Sequence, residues 1–172
     1  MARVEALVFT VYGEAQPQGS ARAFTPKGWS RPIITSDNAD LKSWRQLVAE
    51  HASGAVAKLP PAERSLLLEG VRLTIAFYLP RPKSLPKRVT AHTKKPDIDK
   101  LVRACCDALT AICFRDDSQV CELVTAKHYA SEGVPPHVDI RVEATAATDP
   151  IRVPAAPLPL LDAEASAPAS AR

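Results

Sequence analysis

Prolines limit where regular structure can form in this 172-residue chain, which has sixteen prolines and only six glycines. Proline lacks a backbone N–H, so it is disfavoured inside helices and central strands. Four prolines interrupt the segment from Pro80 to Pro96, which therefore cannot form a helix or a central strand. Proline and glycine also predict a long irregular stretch over 13–36, with at most a short strand at 32–35. Regular elements must lie between these segments.

The remaining segments carry the periodicities of helices and strands. Alternating apolar residues predict strands at 4–12, 70–79, 118–130 and 138–143. Apolar residues three and four apart predict one helix from an N-cap at Ser36 or Asp37 to about residue 52, and a stronger one over 97–112. This order favours an α/β (α+β) fold, in which a mixed sheet of about four strands is flanked by two main helices.

Composition predicts one folded domain and a tail. Apolar residues make up 46% of the chain, enough for a core over residues 1–143, whereas the Ala- and Pro-rich segment 144–172 is expected to be mostly disordered. The four cysteines form no C-x-x-C pair, which argues against a structural zinc site and fits free thiols in a reducing compartment. With no signal-peptide pattern and no apolar stretch of about 18 residues, a cytoplasmic protein without membrane association is expected. The net charge of +3 permits nucleic-acid binding without establishing it.

Three aspartates flank the stronger helix. Asp97 and Asp99 lie at its start, where capping alone explains most such pairs, and Asp117 opens the following strand. If that strand runs beside the helix start, Asp117 can approach the other two. Three adjacent carboxylates repel one another unless a cation neutralises them, and oxygen ligands suit Mg²⁺, with Mn²⁺ as a substitute.

A carboxylate-held Mg²⁺ beside basic residues is suited to phosphodiester hydrolysis. Arg103 and Lys127 are candidates for stabilising charge in the transition state, and Asp107 is expected to pair with Arg103 along the helix. The basic loop before the helix could simply be a solvated connection, but it directly precedes the aspartates. The residues predicted to contact DNA are Lys94, Lys95, Lys100, Lys127, Arg22, Lys87 and Arg88.

The segment KKPDIDKLVRACCDAL, then DDSQV, and then Lys127 resembles the RusA-type Holliday junction resolvases. The resemblance covers roughly residues 4–143. It implies that Asp97, Asp99 and Asp117 bind the catalytic Mg²⁺, that no nucleotide cofactor is needed, and that a homodimer of α/β subunits cuts opposing strands of a four-way DNA junction. Such a protein would act in DNA recombination and repair or in phage DNA processing.

Two residues depart from the pattern of that family. Arg103 stands where the family has a catalytic lysine, and Lys100 stands where it has an asparagine. Arginine can clamp a phosphate through two hydrogen bonds but does not exchange a proton as lysine can. Three hypotheses therefore remain: a structure-selective resolvase, a nuclease for flaps and other branched DNA, and a catalytically silent module that binds branched DNA.

Overall fold

The structure is a computed structural model that describes residues 6–19, 21–36, 38–89 and 91–145, with backbone alone at 21–24 and 33–36. The segment expected to be a tail therefore lies outside the described residues from residue 146 onward. Within the described ranges, no helix is long and apolar enough to cross a membrane.

The chain forms a mixed four-stranded sheet, a separate hairpin and two helices. The elements are β1 (Leu7–Tyr12), β2 (Ala21–Phe24), β3 (Ile33–Ser36), α1 (Leu41–Ala57), β4 (Val71–Leu79), α2 (Ile98–Leu109), β5 (Val120–Tyr129) and β6 (His137–Ala144). The sheet order is β1-β6-β4-β5, in which β4 pairs in parallel with β5 and antiparallel with β6, and β1 pairs antiparallel with β6. The predicted α+β fold with a mixed four-stranded sheet is confirmed.

Strand β4 forms the centre of the core. Its alternating apolar residues point to one face, and none of the five is more than 2% exposed: Val71, Leu73, Ile75, Phe77 and Leu79. Apolar residues of both helices belong to the same buried cluster, so α1 and α2 cover this face of the sheet. The opposite face carries a row of rings, one from each strand, whose neighbouring centroids lie between 4.4 and 5.8 Å apart: Tyr12, His137, Tyr78 and His128.

Two predicted boundaries were wrong. The stretch 13–36 contains the β2–β3 hairpin, of which only β3 had been anticipated. Strand β3 includes Ser36, and helix α1 begins at Leu41 with Asp40 as its N-cap, so the predicted N-cap at Ser36 or Asp37 was wrong. The helix also runs five residues further than expected, to Ala57, because no proline occurs before Pro60.

Helix α2 connects the parallel strands β4 and β5, so it must run antiparallel to both. Its twelve residues span about 18 Å. The N–H of His92, which precedes α2, donates to the carbonyl of Lys127 near the end of β5. The start of α2 therefore lies beside the end of β5, and the end of α2 lies near the beginning of β5. This polarity decides where the predicted site residues fall.

Candidate active-site groove on helix α2

A groove of about 530 Å³ runs between α2 and β5. It forms because β5 is the outer strand of the sheet, so its helix-facing side has no further strand beside it. We call it the α2–β5 groove, and its lining residues are Ile98, Asp99, Val102, Arg103, Cys106, Asp117, Leu123 and Thr125. The structure thus brings three of the four residues predicted to be catalytic, Asp99, Arg103 and Asp117, to one surface.

The charged side chains of the groove have no partner among the described residues. Arg103 follows Asp99 by one helical turn, on the side of α2 away from buried Leu101 and Cys105. Over the described ranges, no hydrogen bond or ion pair involves the side chains of Asp99, Arg103 or Asp117. These two carboxylates and one guanidinium are therefore available to a ligand.

Asp116 and Asp117, just before β5, have different roles. Asp116 caps the short 3-10 turn Asp117–Gln119: its carboxylate accepts from the Ser118 N–H at 2.9 Å, and its own N–H donates to the Gln119 side chain at 2.9 Å. The hydrogen bonds from Ser118 lower the pKa of Asp116. The Gln119 amide also donates to two carbonyls just before β4, at 3.0 and 2.9 Å. Asp116 is thus structural, and the turn it caps presents Asp117 to the groove.

Asp117 enters the groove far from the start of α2. Burial, and then the nearby negative charges of Asp117 and Asp107, raise the pKa of Cys106 to about 11. Asp117 is therefore close to Cys106, which follows Asp99 by seven residues, or roughly 10 Å along the helix axis. Arg103 lies between these two ends of the groove.

Asp97 occupies a different cavity. As the N-cap of α2 it lines a neighbouring space of about 360 Å³ with Glu14, Lys95 and Lys100, and its carboxylate pairs with the Lys100 ammonium at 3.4 Å. Asp97 lines this cavity whereas Asp99 lines the α2–β5 groove, so the two carboxylates face different spaces. Among the residues that the structure describes, no three Asp, Glu, His or Cys side chains are grouped to hold a metal. The expected convergence of all three aspartates is not present.

The predicted DNA-contacting residues fall into three groups. Lys94, Lys95 and Arg88 are exposed, and we call them the basic rim. Lys87 is also exposed but pairs with Glu132 at 2.7 Å. The side chain of Arg22, in β2, lies outside the described residues, Lys100 pairs with Asp97, and Lys127 donates to backbone carbonyls.

Two contacts were missed by sequence reasoning. Asp107 forms an ion pair with Arg45 of α1, which connects the two helices, whereas it had been expected to pair with Arg103. The Gln18 N–H donates to the Lys100 carbonyl at 2.9 Å and so places the segment containing Glu14 beside Asp97. Both contacts join residues far apart in the chain, and local periodicity does not show which distant residues meet.

The comparisons with known proteins agree with the resemblance noted in the sequence. A family model described as "Endodeoxyribonuclease RusA" matches residues 14–143, which is well over half of the chain and includes the whole α2–β5 groove. The chain is also 30% identical over 154 residues to the "Uncharacterized protein YqaN" of Bacillus subtilis (strain 168), and this match covers 84% of this chain and 100% of that protein. The chain belongs to the RusA endodeoxyribonuclease family.

Proposed function

We propose that this protein is a Mg²⁺-dependent endonuclease that resolves four-way DNA junctions as a homodimer, with Mn²⁺ able to replace Mg²⁺. The observation that carries the proposal is the α2–β5 groove of a RusA-family chain. In it two carboxylates and one guanidinium line a single surface, and none is paired with a group in the described part of the protein.

The donor chemistry of the groove suits a hard divalent cation. Mg²⁺ is commonly held by one or two carboxylates and completes its ligands with water and phosphate oxygens. Asp99 and Asp117 supply one carboxylate toward each end of the groove, and Asp97 would be available beside Asp99 only after separating from Lys100. When bound, the ion activates water and stabilises charge on the attacked phosphate.

The basic residues bind and orient the DNA backbone. A guanidinium can clamp a phosphate through two hydrogen bonds but does not exchange a proton as an amine can, so Arg103 is assigned the role of a phosphate clamp. Its position between Asp99 and Asp117 places that clamp inside the groove. The basic rim adds exposed charges, of which Lys94 and Lys95 directly precede the start of α2. Such charges contact phosphates without reading sequence and make binding salt-dependent.

A homodimer follows from the reaction proposed. Each chain presents one groove, and resolution of a junction requires one cut in each of two opposing strands. Three buried free thiols, Cys105, Cys106 and Cys113, fit a reducing cytoplasm as the place where the dimer acts on recombination, repair or phage DNA intermediates.

The test compares synthetic four-way junctions, flaps and linear duplexes with Mg²⁺ or with EDTA. Paired symmetrical nicks at the junction, dependent on Mg²⁺, are the expected result. Equal cutting of flaps would favour the less selective branched-DNA nuclease, and binding without any cleavage would favour the silent module.

Two variants test whether the groove is where cleavage takes place. Asp99→Asn and Asp117→Asn should each reduce cleavage at least 100-fold while junction binding in EDTA is kept, because only a carboxylate charge is removed. Asp107→Asn is the matched control, since Asp107 lies on the same helix but pairs with Arg45 outside the groove. Cleavage at the wild-type rate by Asp117→Asn would refute the site.

A further inference from the structure

We propose that Lys127 is a positioning residue of the active site, which fixes the backbone that leads into Asp97 and Asp99 and does not contact DNA. The proposal rests on the proposed nuclease function and assigns a part of that same site. It replaces the prediction from sequence that Lys127 binds DNA or stabilises the transition state.

The Lys127 ammonium donates hydrogen bonds to two backbone carbonyls. Its Nζ donates to the carbonyl of Lys94 at 2.6 Å and to that of Pro96 at 2.6 Å. Pro96 directly precedes Asp97, whose own carbonyl accepts the first helical hydrogen bond of α2, from the Leu101 N–H at 3.2 Å. Lys127 therefore connects β5 to the residues immediately before the helix that carries Asp99.

The main chain of Lys127 holds the same segment. Its carbonyl accepts from the His92 N–H at 3.1 Å, and the neighbouring residues Ala91 and His128 form an isolated β-bridge. The His92 ring lies 4.4 Å from the ring of Tyr129. Lys127 thus contacts His92 through its backbone, and Lys94 and Pro96 through its side chain.

This geometry leaves little of Lys127 for DNA. An ammonium has three donors, and two of them are committed to carbonyls. In the sheet register Lys127 is paired with Phe77, which is fully buried, so its stem lies on the helix-covered face of the sheet. Lys95, by contrast, is exposed and has no partner over the described ranges, as expected of a residue that contacts phosphate.

Among the described residues, the segment held by Lys127 has few hydrogen bonds besides these. It ends a loop interrupted by prolines, whose internal hydrogen bonds, including those from the Arg81 side chain to the carbonyls of Pro86 and Val89, lie at its opposite end. Displacement of a catalytic group by about 1 Å can cost on the order of 100-fold in rate. Loss of the Lys127 ammonium should therefore reduce the cleavage rate by about 10- to 100-fold, the usual effect of removing a partner that orients a metal ligand.

The experiment separates positioning from DNA contact. Single-turnover cleavage of a four-way junction in Mg²⁺, and junction affinity in EDTA over a salt series, are measured for Lys127→Met, Lys127→Arg and Lys95→Met. Lys127→Met should cut more slowly with affinity within two-fold of wild type, and Lys127→Arg, which can still donate to carbonyls, should recover most of the rate. Lys95→Met should instead weaken binding and reduce the salt slope by about one.

Amide hydrogen exchange gives a second measurement that does not need activity. Peptides covering 91–101 should exchange at least ten-fold faster in Lys127→Met than in wild type, and Lys127→Arg should restore most of the protection. Lys58→Met, at the far end of α1, is the control and should leave both rate and exchange unchanged. If Lys127→Met does not fold, Lys127→Gln, which keeps a neutral donor, is assessed by the same measurements.

Three results would overturn the proposal. One is a Lys127→Met variant that loses affinity and salt slope as Lys95→Met does, which would make Lys127 a phosphate contact. The second is wild-type rate and exchange in Lys127→Met, and the third is no recovery by Lys127→Arg. If the wild-type protein cuts no branched DNA, the proposed function fails, while hydrogen exchange still reports whether Lys127 holds the segment.

Discussion

Lys100→Asn tests whether Asp97 binds the metal, and it restores the residue that the RusA pattern has at this position. The Lys100 ammonium lies 3.4 Å from the Asp97 carboxylate, and the two side chains are 44% and 52% exposed. At this distance the Coulomb attraction is about 1.2 kcal/mol at the dielectric constant of water. Measured exposed pairs contribute about 0.2–1 kcal/mol, so the attraction in water is an upper bound.

A cation that binds Asp97 must displace Lys100 and is also repelled by it. Removing the ammonium should therefore strengthen divalent-metal binding by about 0.2–1.2 kcal/mol, which corresponds to about 1.4- to 8-fold in affinity. The gain should nearly disappear in about 1 M NaCl, where the Debye length of about 3 Å is comparable to the separation of the pair.

Titration of Mn²⁺, followed by electron paramagnetic resonance, measures this affinity for wild type and Lys100→Asn at low and high salt. Lys58→Asn removes the same charge at the end of α1, away from the site, and should leave the affinity unchanged. Equal or weaker Mn²⁺ binding by Lys100→Asn would refute the reasoning and remove Asp97 from the metal ligands. Tighter binding accompanied by loss of cleavage would instead show that Lys100 takes the role of the family's catalytic lysine.

Three further predictions concern stability. Phe77→Ala, at a fully buried position, should lower the free energy of unfolding by about 3–5 kcal/mol in urea titrations, and a loss below about 1 kcal/mol would contradict its place in the core. Arg45→Met removes the ion pair with Asp107 and should cost less than about 1 kcal/mol in the same assay, because both side chains are about one-third exposed. Burial, and then the charge of Lys127, lower the pKa of His92 below its usual 6.5. The unfolded chain therefore binds the proton more readily, so thermal stability should fall as the pH drops below about 6.5, and His92→Gln should reduce this dependence.

The sheet and helices could be predicted largely because their patterns are local. The alternation in β4 and the apolar stripe of α2 both describe faces that must be buried, whatever the rest of the chain does. Strand β2, only four residues long, carries too little pattern to predict, although it pairs with β3 along its whole length. Boundaries of this kind depend on partners that the local sequence does not reveal.

The sequence identified residues that form the site but not how they are arranged in space. Asp99, Arg103 and Asp117 were identified by motif and spacing, and the structure lines one groove with them. The sequence assigned Asp117, and not Asp116, to the site, and the structure shows a physical reason: Asp116 caps the turn, and the Gln119 side chain closes the capping box. The sequence contains that residue, but only the turn geometry assigns its role.

The direction of α2 explains the remaining difference. In a β–α–β unit with parallel strands, the strand after the helix begins near the end of the helix and finishes near its start. Asp117, at the beginning of β5, therefore approaches Cys106, and the residue that reaches the start of α2 comes from the other end of the strand. That residue is Lys127, which contacts the backbone before Asp97. The same topology thus separates Asp117 from Asp97. It also places Lys127, at the other end of β5, beside the backbone that leads into Asp97 and Asp99.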